Sequence, residues 1–335
     1  MKKFTGTIED IGSVENLLEA WREFLPGKRI KHDVAVFSLC LMDNIFALHE
    51  ELVQSTYQHG GYYAFNISDP KPRNIHKASV RDRLVHHAIY RRLYPFFDRI
   101  FIADSFSCRI GKGTHRALDR FRSFVYRAGK NNTRTVWVLK CDIKKFFANI
   151  NQEILLKILC RYFSDPALKD LLAEIVDSFS TVPGKGLPLG NLTSQLLVNV
   201  YMNEFDQFVK HKLKAEYYIR YADDFAVLSY DRAWLQGILL GMEKFLNERL
   251  KLETHPDKVF IKTLASGVDF LGWVHFPDHR VLRTATKRRM LKRISENYKL
   301  ETISSYRGLL QHGNTWKLSQ NLDTWYLAPD ARLRN

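Results

Sequence analysis

The chain changes hydrophobic period several times. In "SVENLLEAWREFL" and "VFSLCLMDNIFALHEELVQ" apolar residues recur three and four apart, which predicts helices. "GGYYAFNISDPKPRNI" predicts a pair of strands ending at prolines. "RDRLVHHAIYRRLYPFFDRIF" returns to the helical period and carries arginines on its polar face. The neighbours His86 and His87 point about 100° apart on such a helix, so they are not expected to share a metal. From residue 134 the pattern reads as one unit. "TVWVLKCDI" predicts a strand, followed by a helical insertion over roughly 151–180 and a Gly/Pro loop, "TVPGKGLPLG". "NLTSQLLVNVYMNEFDQFVKHKL" predicts a helix with Leu197, Tyr201, Phe205 and Phe208 on one stripe. "EYYIRY" and "FAVLSY" predict a hairpin around "ADD". The next helix has the strongest pattern, with Leu235, Ile238, Leu239, Met242, Phe245, Leu246 and Leu250 at i, i+3, i+4 spacing. "DKVFIK" predicts a last strand. Without the insertion the order is β-α-β-β-α-β, a split βαβ unit.

That order places chemistry. The first and third strands of such a unit lie side by side, so Asp142, at the end of one, meets Asp223 and Asp224, at the start of the other. Aspartate is depleted in strands, and a buried unpaired carboxylate is costly. "DD" alone would be ordinary turn chemistry; Asp142 makes it a cluster. Strand parity turns Trp137, Leu139 and Cys141 toward covering helices. Val138, Lys140 and Asp142 then point to an opposite face expected to be open to a long substrate. With no lysine partner evident in the motif, converging carboxylates suit hard divalent cations. Mg²⁺ is expected, with Mn²⁺ as an alternative. Two such ions ~3.5–4 Å apart clamp the attacking and leaving oxygens of a phosphoryl transfer.

Charge narrows the substrate. The 335 residues carry a net charge of +15, with basic residues spread along the whole length. That distribution suits an extended polyanion path. The cysteines Cys40, Cys108, Cys141 and Cys160 have no zinc spacing and are read as reduced core thiols. The N-terminus lacks an apolar h-region and no apolar run reaches ~18 residues. A soluble cytoplasmic protein away from membranes is therefore expected.

"YADD" between apolar strands, with "DIKKFFANI" upstream, resembles the palm of reverse transcriptases. "KPRNI…RDRLVHHAI" and "SFSCRIGKGTHRAL" resemble the fingers blocks of the bacterial and group II intron branch. "LPLGNLTSQ" resembles the loop-helix beside the incoming nucleotide, and "LKLETHPDKVFI" and "VDFLGW" resemble the last palm blocks. The resemblance implies an α+β right-hand polymerase with a split βαβ (RRM-like) palm and a small helical thumb. Its expected boundaries are fingers 1–139, palm 140–150, a fingers insertion 151–189, palm 190–277 and thumb 278–335. It implies Asp142, Asp223 and Asp224 as the catalytic carboxylates, with the Ile143 carbonyl as a further metal ligand. Phe147 matches the steric gate against a 2′-hydroxyl. Lys71 and Arg73 match triphosphate-holding positions. Lys258 matches a proton donor on the pyrophosphate side, and Phe270, Leu271 and Gly272 match a primer grip. Leu189, Gly190 and Gln195 fall beside the nucleotide. Arg288, Arg289, Lys292 and Arg293, at i, i+4 on a basic helix, suit a duplex backbone.

Most of the family has Gln where Leu189 stands, and many members have Pro at Gln195. "LPLGNLTSQ" and "SYRGLLQHGN" instead resemble the reverse transcriptases of diversity-generating retroelements. That likeness implies mutagenic copying of a template RNA into cDNA with errors opposite adenine. It also implies dNTP substrates, a primer and a small basic accessory variability protein. Two rival readings stand beside it. One is a group II intron or phage-defence reverse transcriptase; the other is an RNA-binding protein with a relict palm.

Overall fold

The computed structural model describes residues 2–68, 72–296 and 299–327. Four helices lead: α1 (Ile8–Gly12), α2 (Val14–Phe24), α3 (His32–Leu39) and α4 (Leu41–Val53). Ser13 caps α2 by accepting from the Asn16 N–H. The helix expected over residues 36–54 is interrupted: Cys40, at φ −116° and ψ 42°, separates α3 from α4. Strands β1 (Tyr62–Ile67) and β2 (Arg73–Ala78) form an antiparallel hairpin. Helices α5 (Val80–Asp98) and α6 (Thr114–Ala128) follow. The two α5 histidines do diverge: His86 meets His59 at 3.1 Å, while the His87 ring packs on Phe24.

Strand β3 (Trp137–Asp142) leads into α7 (Phe146–Asn149), α8 (Gln152–Cys160), α9 (Pro166–Asp177) and α10 (Leu192–Gln207). Then come β4 (Tyr217–Tyr221), β5 (Asp224–Ser229), α11 (Arg232–Leu250) and β6 (Phe260–Thr263). The sheet order is β4-β5-β3-β6, antiparallel throughout, so the first and third strands of the unit are neighbours as expected. A second sheet, β7 (Val268–Phe270), β8 (Trp273–His275) and β9 (Arg280–Leu282), precedes α12 (Thr284–Glu296), α13 (Leu300–Leu310) and α14 (Trp316–Leu327).

Strand alternation sorts the side chains into two cores. Leu139, Cys141, Tyr218, Phe225 and Val227 pack against α10 and α11 through Tyr201, Phe205, Leu235, Met242 and Leu246. Val138, Ile219, Ala226 and Leu228 pack on Ala117, Phe121 and Phe124 of α6. The second face is therefore not open. α6 covers it, and Val138 is fully buried; only the strand ends carrying Lys140 and Asp142 keep access to solvent. A third cluster joins Leu118, Trp273 and Leu282 to Met290, Ile294, Leu310 and Leu322 of the C-terminal helices. The cysteines are free, but only Cys141 is buried; Cys40, Cys108 and Cys160 are exposed, so most are not core thiols. No helix among the described residues is long and apolar enough to cross a membrane.

Candidate active site

Backbone register assembles the site. β3 and β5 pair Asp142 directly with Asp224, and β4 pairs Tyr221 with the same Asp224. Between the strands Ala222 turns at φ 56°. The Ile143 N–H donates to the Asp223 carbonyl at 3.1 Å, and the His255 N–H to the Asp142 carbonyl at 2.7 Å. Asp142, Ile143, Asp223 and Asp224 are thus stitched into one patch by main-chain hydrogen bonds, independent of what their side chains bind.

The side chains are not without lysines. Lys258 Nζ lies 2.9 Å from Asp142 Oδ1 and donates to it. Lys140 Nζ lies 2.9 Å from Asp224 Oδ1, a close ion pair. The expectation of an unpartnered cluster is corrected here: alternation puts Lys140 on the same face as Asp142 and Asp224. Even so, Asp223 and Asp224 remain costly to ionise. Burial pushes Asp224 up to about 6, against the pull of Lys140 and with a further push from Asp223 and Asp142. Burial also raises Asp223, with Asp142 adding to the rise while its own N–H, Lys258 and Arg73 oppose it. Among the described residues no three His, Cys, Asp or Glu side chains stand ready as a closed metal cage. The donor set is nevertheless all oxygen, concentrated and under-neutralised, with about a fifth of Asp142 and Asp224 (19% and 21%) accessible. It fits hard divalent cations by chemistry, with the two lysines as the groups a cation would displace.

Around this patch the loop before α10 is sewn to two elements. The Leu187 N–H donates to the Phe147 carbonyl, and the His76 N–H of β2 to the Leu189 carbonyl, both at 2.9 Å. Asn191 Nδ2 donates to the His76 carbonyl at 2.9 Å. Gly190 takes φ +107°, and a Cβ there would lie 2.8 Å from Ile75 Cγ2, so both backbone and space require glycine. The loop is thus tied to half-buried Phe147 through Leu187 and to β2 through Leu189. Arg73 starts β2 and its charge reaches Asp223. Gln195 lies in the first turn of α10, half-buried. Lys71 lies outside the described residues.

Farther off, Phe270 is fully buried and stacks on Phe121 at 5.0 Å. Its side chain supports the turn from beneath, in the core. Leu271 (φ 52°) and Gly272 (φ 85°) form the two-residue turn between β7 and β8. Arg288, Lys292 and Arg293 are exposed on α12, and Arg289 is half-buried.

Sequence reasoning passed over a charged group behind the turn. Arg220 of β4 is fully buried and holds Asp206 of α10 at 2.7 Å. The signal was present: an arginine in the middle of the apolar strand "YYIRY" demands a buried partner.

An antiparallel β-α-β-β-α-β sheet with carboxylates on its two central strand ends, a basic hairpin before it and basic helices after it, is the fold of a right-hand nucleic-acid polymerase. The telomerase of Candida albicans, solved with a fragment of telomeric RNA, shares this fold at a TM-score of 0.50 and 12% identity. The match covers 70% of this chain and 48% of that one. A family model described as reverse transcriptase (RNA-dependent DNA polymerase) matches residues 67–275. The chain belongs to the reverse transcriptase family and to the enzyme class of RNA-directed DNA polymerases, which are nucleotidyltransferases. Protein YkfC of Escherichia coli (strain K12) is 25% identical over 280 residues, 72% of this chain and 71% of that protein. The group II intron-encoded protein LtrA of Lactococcus lactis subsp. cremoris is 22% identical over 295 residues, covering 68% of this chain and 47% of LtrA. The chain thus spans about half the length of LtrA and of the telomerase chain.

Proposed function

We propose that this chain copies a retroelement's template RNA into cDNA, and that the retroelement is of the diversity-generating kind. The polymerase reading rests on one observation: Asp142 and Asp224 face each other across β3 and β5, with Asp223 on the adjoining turn. Asp142, Asp223, Asp224 and the Ile143 carbonyl would hold two Mg²⁺ ions, with Mn²⁺ able to substitute. Bound there, the ions supply charge neutralisation for the triphosphate and activation of the primer 3′-hydroxyl.

The protein's own groups do the remainder. Lys71 and Arg73 hold the triphosphate. Lys258, once its Asp142 contact yields, carries a proton for the departing pyrophosphate. Phe147 excludes a 2′-hydroxyl by steric clash. Leu271 and Gly272 position the primer. Arg288, Arg289, Lys292 and Arg293 grip the duplex backbone without reading its sequence. Template RNA, primer or cDNA and dNTPs are the partners, together with a small basic accessory protein.

Radiolabelled dNTP incorporation on a primed RNA, with Mg²⁺, tests the polymerase reading. Asp223→Asn should cut incorporation by about 10³-fold or more, since several kcal/mol of charge stabilisation are lost. A wild type inactive with and without an accessory protein would favour the RNA-binding reading.

The retroelement reading rests on Leu189. Its carbonyl is taken by β2, and its aliphatic side chain cannot hydrogen-bond near the nascent pair, as a glutamine could. Losing a polar contact relaxes discrimination. Leu189→Gln should therefore lower misincorporation opposite template adenine. An unchanged error spectrum would leave the intron-type reading, which the LtrA relationship favours, as the better one.

A further inference from the structure

A buried ionic network lies directly behind the carboxylate turn. Arg220 and Asp206 are both 0% exposed. Arg220 Nε donates to Asp206 Oδ1 at 2.8 Å and Nη2 to Oδ2 at 2.7 Å, a two-pronged pair. The Tyr218 hydroxyl donates to the same Oδ1 at 2.7 Å. The remaining guanidinium donors spread outward. Nη2 reaches Ser105 Oγ at 3.1 Å, and Nη1 reaches Asn199 Oδ1 at 3.3 Å and the Ala222 carbonyl at 3.1 Å. Asn199 in turn donates to the Gln195 carbonyl at 3.2 Å and the Ser107 carbonyl at 3.0 Å.

Stability alone is a poor reason to keep this pair. Apolar residues of similar shape often hold a core as well or better, because desolvating two charges is expensive. They could not grip the Ala222 carbonyl. Ala222 sits in the left-handed region, which costs an L residue about 1–2 kcal/mol, and its conformation sets where Asp223 and Asp224 begin. The same guanidinium also reaches, through Asn199, the first turn of α10, which carries Gln195.

We propose that Arg220, held by Asp206 and Asn199, is a positioning residue: it locks the left-handed turn at Ala222 and ties it to the first turn of α10. The carboxylates and the nucleotide loop then share one frame. This inference rests on the polymerase reading.

The backbone leaves room for a clean test. The Arg220 N–H donates to the Asp104 carbonyl, and its own carbonyl accepts from the Phe106 N–H, both at 3.0 Å. β4 therefore stays anchored when the side chain changes. Arg220→Lys keeps the charge beside Asp206 but cannot reach Asp206, Asn199, Ser105 and Ala222 together. It should melt cooperatively while the Mn²⁺ dissociation constant, read by electron paramagnetic resonance, rises about 10–100-fold. Half-saturating Mg²⁺ for incorporation should rise in parallel, and kcat should fall more than KM for dNTP rises. The triple variant Tyr218→Phe/Asp206→Leu/Arg220→Met removes both charges and the tyrosine hydroxyl bound to them, and leaves the Ser105 hydroxyl without its arginine donor. It should still melt cooperatively and keep the same metal defect, which a purely structural pair would not produce. Wild-type Mn²⁺ affinity and rate in either variant would overturn the proposal; if the triple variant does not fold, Arg220→Lys decides. Failure of the wild type to incorporate dNTPs would instead count against the polymerase reading, and the Mn²⁺ titration would still report on the turn.

Discussion

Asp224 shows what a carboxylate costs when it is buried at a strand end. Its pKa near 6 lies above the ordinary value of 3.8, and burial is the main cause. A raised carboxyl pKa means the folded state keeps a proton that the unfolded state releases. Stability is then gained as pH falls from above 6 toward 4, and lost as pH rises through 6. Asp33, Asp82 and Asp98 are shifted downward, so their contributions fade only below the usual carboxylate range. Burial pushes His86, His87 and His275 down to about 3, 4 and 4, so these neutral histidines cost stability as pH falls below 6.5 and oppose the Asp224 gain. With a chelator present, Asp224→Asn should therefore lose more melting temperature than the wild type between pH 7 and pH 5, and Mg²⁺ added at pH 7 should raise the melting temperature of the wild type. The aspartates were legible in the sequence because strand order alone brings their backbones together. Their lysines were less so: Lys140 shares a strand parity with Asp142, but pairing with Asp224 depends on the register between β3 and β5.

The alternation and helical stripes around residues 134–263 predicted the β-α-β-β-α-β unit, and every strand and helix of it is present. These elements are long or strongly periodic, so local pattern and tertiary need agree. The interruption at Cys40 was not legible, since the apolar spacing runs through it. Nor was the cover on the second sheet face. α6 lies outside the repeating unit, and only the folded chain shows Phe121 and Phe124 against Val138 and Ile219. The loop between α13 and α14 gives a sharp local test. A Cβ on Gly313 would run into Cζ3 of the buried Trp273 ring. Gly313→Ala should cost about 1–3 kcal/mol through overpacking. Gly237, exposed within α11, has nothing near its Cβ position, so Gly237→Ala should stabilise by about 0.5–1 kcal/mol. Thermal melts of the two alanine variants, moving in opposite directions, check both.

At the scale of the whole molecule, a charge of +15 distributed from hairpin to terminal helices predicts strongly salt-dependent RNA binding. The affinity should fall linearly in log–log form with added salt, and removing Arg288 and Lys292 together should flatten the slope by about two counterions. Filter binding across a salt series measures it. Among the described residues, the C-terminal helices join the rest through a cluster of seven buried side chains, with Leu118 the one member from before residue 273, and through the His115–His312 stack and the Arg280–Asp119 ion pair. So thin a seam makes them a separate cooperative unit, opening at a lower free energy than the central sheet. Amides of α12 and α13 should exchange with deuterium ahead of those in β3 and β5. Such an opening would loosen the hold on a duplex while the carboxylates stay assembled, leaving the residence time on a template to be tuned separately from the chemistry.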